Sequence, residues 1–342
     1  MSYLQAIDPA PAALRAVPEL TIVVPCHNEE AALPPLFRRL EALNDDLLGQ
    51  GQLTRPLRLL LVDDGSNDRT WELIERARTT LPVQGLRLAR NRGHQTALLA
   101  GLMQAQTEVV VSMDADLQDD PAAIAEMLGA YRRGAEIVFG VRDRRDSDTW
   151  FKRRSARAYY ALLDRLGVDL LQDHADFRLM SRKALSALAA YGEGNLFLRG
   201  LVRDLGFQSE IVLYDRAARS EGESKYSLGK MLSLGIEGLT SFSVKPLRMI
   251  VLAGMLVAGL AFGFGLWSFV EWTMGRTTPG WASIVLPLSL LGGMHLIALG
   301  VIGEYVGKIY HETKRRPRYI IDEIASHDGA TRAAPPLKSM AR

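Results

Sequence analysis

Apolar positions follow two different patterns along the chain. In the first 140 or so residues, short apolar runs alternate with amphipathic stretches. Leu20–Pro25, Leu57–Val62, Leu86–Leu88, Val109–Met113 and Glu136–Gly140 read as strands. Between them, Glu29 to about Leu48, Arg69 to about Thr80, Thr96–Gln104 and Pro121–Tyr131 read as helices, with Asp68 as an N-cap and Pro121 in a first turn. This alternation predicts an α/β domain: a Rossmann-like, mostly parallel sheet with helices on both faces. Ligands of such sheets lie beyond the carboxyl ends of the strands. The polar clusters Pro25–Glu29, Asp63–Asp68 and Asp114–Asp120 fall at those ends, so three carboxylate-rich strand ends are expected to converge on one cleft.

The second pattern is unbroken. Met249–Val270 and Trp281–Gly303 hold no charged residue. As helices each reaches roughly 33 Å, enough for a bilayer core. Buried core helices are the alternative, but these runs lack the polar face such helices carry. Lys225, Lys230, Lys245 and Arg248 precede the first run. Lys308, Lys314, Arg315, Arg316 and Arg318 follow the second, and the connection Glu271–Gly280 has only Arg276 as a base. The positive-inside rule then predicts a two-helix transmembrane hairpin in the plasma (inner) membrane, multi-pass, with the catalytic domain and both termini cytoplasmic. Residues 226–245 are mildly amphipathic and are expected to lie at the interface. Gly254, Gly259, Gly263 and Gly265 permit close helix packing, and with it a homo-oligomer. His295 lies inside the second run and Glu304 just after it, as structural groups or as contacts to lipid phosphate. The expected organisation is a flexible leader (1–18), the α/β domain (19–225), a juxtamembrane helix (226–247), the hairpin (248–304) and a cytoplasmic tail (305–342), disordered after Ser326. Residues 1–20 show no signal-peptide core.

Composition refines this only a little. The net charge of +2 is decided by its distribution, which points to a membrane and not to a nucleic-acid partner. The single cysteine, Cys26, excludes an intrachain disulfide and suits a reducing compartment. It reads as a packed small residue rather than a nucleophile.

The candidate chemistry begins with Asp114-Ala115-Asp116. Two carboxylates one residue apart at a strand end can share a hard cation, Mg²⁺ or Mn²⁺, that also holds substrate phosphates. Such a cation would neutralise charge on a departing diphosphate. Adjacent Asp63 and Asp64 repel one another unless donors reach them, and a nucleotide base or ribose can supply those donors. Pro25, His27 and Glu29 can wall the same pocket. His27 and His94 can contact nucleotide, but neither has metal-ligand spacing. The charged stretch from Arg142 to Arg157 is either a solvated loop or a lid with cations for phosphates.

Taken in order, the motifs resemble a known family. They are Val24-Pro25-Cys26-His27-Asn28-Glu29-Glu30, Val62-Asp63-Asp64-Gly65-Ser66-Asn67-Asp68, Arg90-Asn91-Arg92-Gly93-His94-Gln95 and Asp114-Ala115-Asp116-Leu117-Gln118-Asp119-Asp120-Pro121. This set is similar to family 2 glycosyltransferases with the GT-A fold. Asp176-Phe177-Arg178-Leu179, Arg216 through Tyr226, Ser241-Phe242-Ser243 with Pro246-Leu247-Arg248, and Gly303-Glu304-Tyr305 with Arg316-Pro317 narrow the resemblance. They point to polyprenyl-phosphate glycosyltransferases of the dolichyl-phosphate mannose synthase and bactoprenol glucosyltransferase type. The match spans roughly residues 20–322. It departs from the pattern at His27, where an aromatic residue is usual, and at Asn67.

The resemblance implies a nucleotide-sugar donor and a polyprenyl (undecaprenyl) phosphate acceptor. Nucleotide contacts are expected from Pro25, His27, Glu29, Asp63, Asp64, Asn91, Gly93, His94 and Asp114, and metal contacts from Asp114, Asp116 and Gln118. Arg142, Arg216, Arg219, Ser224 and Lys225 would grip phosphates, with Asp116, Asp176 and Arg219 acting in catalysis. Arg forks match phosphate oxygens, and Gly222 allows close backbone approach; a membrane-surface basic patch is the alternative reading. Asp176 is expected either to position the acceptor as a weak base or to anchor a neighbouring Arg. UDP-glucose leads among donors, with GDP-mannose and UDP-N-acetylglucosamine or aminoarabinose types open. The rival readings are a processive polysaccharide synthase, which needs more spans and a Q-x-x-R-W motif, and a non-catalytic scaffold or flippase partner.

Overall fold

The computed structural model describes residues 14–77, 79, 81–142, 174–192, 198–214, 245–275, 280–314, 316–326 and 331–333. The elements in chain order are β1 (Leu20–Cys26), α1 (Leu33–Gly49), β2 (Arg58–Asp63), α2 (Thr70–Glu75), β3 (Val83–Leu88), α3 (His94–Gln104), β4 (Val109–Ser112), α4 (Ala123–Arg133) and β5 (Ile137–Arg142). They continue with β6 (His174–Ser181), α5 (Arg182–Ala189), α6 (Leu198–Asp204), β7 (Ser209–Tyr214), α7 (Lys245–Thr273), α8 (Trp281–Thr313), β8 (Ile321–Ser326) and β9 (Thr331–Ala333).

Every residue of β1 is buried, as befits a central strand covered on both faces. α1 places Leu33, Leu36, Leu40, Leu43 and Leu47 on one buried stripe at helical spacing. α3 lies so close to the sheet that a Cβ on Gly101 would meet Val23 Cγ1 at 2.4 Å.

The sheet has the order β7-β5-β6-β4-β1-β2-β3-β8-β9. The β4-β1-β2-β3 core is parallel, as expected. The sheet as a whole is mixed, which corrects the mostly parallel expectation: β6 runs antiparallel to both β4 and β5, and β8 runs antiparallel to β3 and β9. β6 hides in the sequence because Asp176 and Arg178 interrupt its apolar run. β8 comes from the stretch expected to be tail. It joins the far edge of the sheet, where Trp71 Nε1 donates to Glu323 at 3.0 Å.

Other boundaries also move. α1 starts at Leu33 because the Glu29 and Glu30 amides donate to Thr70 Oγ1 and Asp68 Oδ2 instead of entering a helix. α2 ends at Glu75, and its N-cap position is Arg69 without a side-chain cap; Asp68 sits one residue earlier and accepts from Thr70 N. Arg15, inside the expected leader, donates to Glu136 at 2.8 Å and lies over the Tyr131 ring.

The sheet with α1–α6 forms one compact unit, and α7 with α8 a second. In the second unit large apolar side chains such as Leu256, Phe262, Leu296 and Ile297 are exposed. Surfaces of that kind require an apolar solvent or a partner. Among the described residues, one segment, Leu290–Thr313 in α8, is long and apolar enough to cross a membrane; the apolar stretch Ile250–Phe264 in α7 is shorter. That segment overlaps the C-terminal part of the second expected run, Trp281–Gly303, and the two-span arrangement is not confirmed. Residues 226–244 of the expected interfacial helix lie outside the described residues, as does most of the Arg142–Arg157 stretch, and Lys245 already belongs to α7.

Candidate active site

The loops after β1 and β2 are laced together. Asn28, at φ 58, donates its amide to Ser66 Oγ and accepts from Asn67 N at 2.8 Å; left-handed backbone is tolerated by Asn. Asp64 N donates to Cys26 O at 2.8 Å, and His27 Nδ1 lies 3.0 Å from Asp64 O. The Asp64 carboxylate accepts from the amides of Arg92 (2.7 Å) and Gly93 (2.8 Å), which fixes the loop after β3. Gly65 makes this closeness possible. Its φ is +65, and a Cβ there would lie 2.7 Å from Asn91 N and 2.9 Å from Arg90 C.

Asp63 and Asp64, two of the carboxylates expected at the nucleotide, have distinct surroundings. Asp63 is fully buried, accepts from Ser66 N at 3.0 Å and lies 3.7 Å from Arg87 Nε. The repulsion inferred from sequence is met inside the protein by one amide donor, Ser66 N, and by the charge of Arg87. Burial pushes the Asp64 carboxyl up, against the lowering effect of the Arg92 and Gly93 amides. Asn91 Nδ2 lies 3.1 Å from His27 Nε2, so His27, Asn91 and Asn28 form one polar wall. A groove of about 460 Å³ opens beside it, between Gly65–Asn67, Arg87–Asn91 and Asp322 of β8. Cys26 is buried, and burial, followed by Glu29 and Asp63, raises its thiol well above the usual range, so it is no nucleophile.

The acidic centre lies at the end of β4. Ser112 pairs with Arg178 on antiparallel β6, and continuing that register by two places brings Asp114 beside Asp176. His94, the first residue of α3, bridges them: its Nε2 is 3.5 Å from Asp114 Oδ1 and 3.3 Å from Asp176 Oδ2. The other Asp176 oxygen accepts from the fully buried Arg178 at 2.6 Å. Asp176 thus anchors a neighbouring Arg, one of the two roles expected for it. His94, expected at the nucleotide, lies against the acidic pair.

Gln118, expected among metal ligands, is buried and turns its backbone and side-chain amides to the Asp116 carboxylate. It holds Asp116 in place. Leu117 between them has φ 52, a left-handed conformation that a leucine adopts only when held there.

Burial pushes the Asp114 carboxyl up to about 6; His94 pulls it back, while Asp176, Asp119 and Asp116 add to the rise. Burial, then Asp116 and Asp114, also raises Glu29, which belongs to the same field. Asp114 Oδ1 is buried without a hydrogen bond. This donor set, short of positive charge and made of carboxylate oxygens, fits a hard divalent cation. Among the described residues no group of three or more His, Cys, Asp or Glu forms a ready metal site. The fit therefore concerns the carboxylates of Asp114 and Asp116, with the remaining coordination left to other oxygens.

The strand ends bring together Pro25, His27, Glu29, Asp63, Asp64, Asn91, Gly93, His94, Asp114, Asp116, Gln118 and Asp176. Arg216, Arg219, Ser224 and Lys225 lie outside the described residues, as does the Arg142 side chain. Arg178, Arg87 and Ser112 were not expected as parts of the site. Arg178 was visible only as a member of the Asp176-Phe177-Arg178-Leu179 motif, with no role assigned to it.

A family model described as Glycosyl transferase family 2 matches residues 21–189. The uncharacterized glycosyltransferase YkoT of Bacillus subtilis (strain 168) is 48% identical over 309 residues, covering 89% of this chain and 91% of that protein. The SfII prophage-derived bactoprenol glucosyl transferase of Shigella flexneri is 35% identical over 316 residues, covering 91% and 99%. Among solved structures, glucosyl-3-phosphoglycerate synthase from Mycobacterium tuberculosis aligns at 20% identity and a TM-score of 0.46, covering 66% and 80%.

Proposed function

The chain belongs to glycosyl transferase family 2, and from that premise we propose that it is a metal-dependent enzyme that moves one sugar, glucose from UDP-glucose in first place, onto polyprenyl phosphate. The observation that carries this reading is the grouping of Asp114, Asp116 and Asp176 at one end of adjacent strands. The acceptor is supported by the relatives named bactoprenol glucosyl transferase, which match along nearly their whole length. An apolar helix able to cross a bilayer suits an acceptor whose tail stays in the membrane. The reading extends to both α7 and α8 as spans, with the catalytic unit on the cytoplasmic side, to a homo-oligomer packed through the small residues of the spans, and to a flippase that takes up the product.

The chemistry asks little covalent help from the protein. The acceptor phosphate is already anionic, so its oxygen attacks the anomeric carbon as the bond to the nucleoside diphosphate breaks, with inversion at that carbon. The main barrier is charge on the leaving diphosphate. A divalent cation, when bound, supplies that neutralisation, and Asp114 and Asp116 are the residues to hold it. Gln118 orients Asp116. Arg178 and His94 fix Asp176 beside Asp114. Asp64 holds the Arg92–Gly93 turn so that Asn91 and His27 face the nucleotide.

The test is transfer by purified full-length protein from radiolabelled UDP-glucose, UDP-N-acetylglucosamine, UDP-aminoarabinose and GDP-mannose to polyprenyl phosphate. A single lipid-linked monosaccharide supports the reading, and the donor that works names the sugar. A polymer product, or no transfer from any of these donors, contradicts it.

A further inference from the structure

Asp119 and Tyr214 form a buried pair that the chemistry above leaves unused. Asp119 belongs to the β4–α4 loop, directly after Gln118, and is 2% exposed. Tyr214 closes β7 and is 5% exposed. Its hydroxyl donates to Asp119 Oδ1 at 2.5 Å. Its ring meets Phe177 edge-on, with centroids 5.2 Å apart. Phe177 stands between Asp176 and Arg178 on β6. One tyrosine therefore touches the loop that presents Asp114 and Asp116 and the strand that presents Asp176.

Backbone pairing does not create this link. β5 and β6 separate β7 from β4 in the sheet, and the two residues are 95 positions apart in sequence. A carboxylate at this depth is costly unless a donor meets it, whereas a Phe–Leu pair would fill the same space without that demand. What the polar pair adds is direction: a hydrogen bond fixes separation and angle where apolar contact does not. The loop needs such a hold, since Leu117, two residues before Asp119, has left-handed backbone.

We infer that Tyr214 and Asp119 are positioning residues for transfer: their hydrogen bond, with the Phe177 contact, sets the loop bearing Asp114 and Asp116 against the strand bearing Asp176, so that the three carboxylates keep the spacing the reacting phosphates require. This rests on the glycosyl-transfer reading above. Neither residue touches substrate.

The test uses full-length protein in nanodiscs, with Tyr214→Phe, Asp119→Ala and the double variant. Thermal unfolding, nucleotide-sugar affinity and transfer kinetics are measured on each. Tyr214→Phe keeps the ring against Phe177 and removes only the hydroxyl. It is expected to lower kcat/KM for polyprenyl phosphate by between about 10- and 100-fold, the range of a small misplacement of reacting groups. Donor affinity stays within about twofold, and the double variant is no slower than the slower single, as for two partners in one interaction. A lower melting temperature with unchanged turnover per folded molecule overturns the inference and leaves the pair a structural bond. So do losses that multiply in the double variant. An active wild type with an equally active Tyr214→Phe overturns the inference alone, whereas a wild type that transfers no sugar overturns both it and the reading beneath it.

Discussion

Replacing Gly65 with Ala tests how the nucleotide wall is built. At φ +65 an alanine carries a left-handed penalty of about 1–2 kcal/mol. Its Cβ would also sit 2.7 Å from Asn91 N and 2.9 Å from Arg90 C, both backbone atoms that cannot swing aside. Overpacking of this kind costs about 1–3 kcal/mol, for a sum of roughly 2–5 kcal/mol. The direction of relief is fixed. Asn91 must retreat by about 0.7 Å to reach ordinary contact at 3.4 Å, carrying Arg92 and Gly93 with it. Their bonds to Asp64, now 2.7 and 2.8 Å, then stretch past the roughly 3.2 Å limit of a good N–H···O bond. The assay is thermal unfolding of detergent-solubilised protein together with calorimetric titration of UDP and GDP. Gly101→Ala is the control, because its Cβ would meet Val23 and Val62 beneath the sheet, away from the wall. Both variants should melt earlier, and only Gly65→Ala should also weaken nucleotide binding, by about tenfold or 1.4 kcal/mol. Wild-type nucleotide affinity in a folded Gly65→Ala protein would refute the reasoning.

Two further expectations concern buried charge. Asp176→Asn leaves the fully buried Arg178 without its carboxylate and should cost roughly 3–5 kcal/mol, read as a large drop in melting temperature; a variant as stable as wild type contradicts the pairing. Burial alone would raise the Glu136 carboxyl, but the Ser181 side chain and Arg15 outweigh it and hold it below the usual range. Its contribution is therefore complete above the ordinary glutamate value and is lost as pH falls through the depressed one. The stability gap between wild type and Glu136→Gln should close on acidification, and a gap that widens at low pH contradicts this sign.

Much of the site was legible in the sequence because its residues sit at the ends of parallel strands whose apolar runs are unbroken. β1, β2 and β4 announce themselves in this way, and with them Asp64, Asp114 and Asp116. β6 and β8 were missed for the opposite reason. Each pairs antiparallel with a partner far away in sequence, and each carries charge in mid-strand, Asp176 and Arg178 in one and Asp322 and Glu323 in the other. Asp176 meets Arg178 and His94, and Glu323 meets Trp71 and Arg87, contacts that no apolar pattern displays. The fate of Asp63 shows the same limit: its repulsion with Asp64 was readable, but the Ser66 amide and Arg87 that answer it were not. Likewise the role of Gln118 turns on where its amide points, which spacing does not fix.

The central claim is that the carboxylates at the end of β4 carry the transfer by holding a cation against the departing diphosphate. It is tested most directly by measuring sugar transfer to polyprenyl phosphate with Asp114 and Asp116 both changed to Asn, alongside wild type treated with a chelator and then resupplied with Mg²⁺ or Mn²⁺. The variant should lose at least about a thousandfold in turnover while staying folded, and chelated wild type should regain activity only with metal. Full turnover by the variant, or by the chelated wild type, would contradict it.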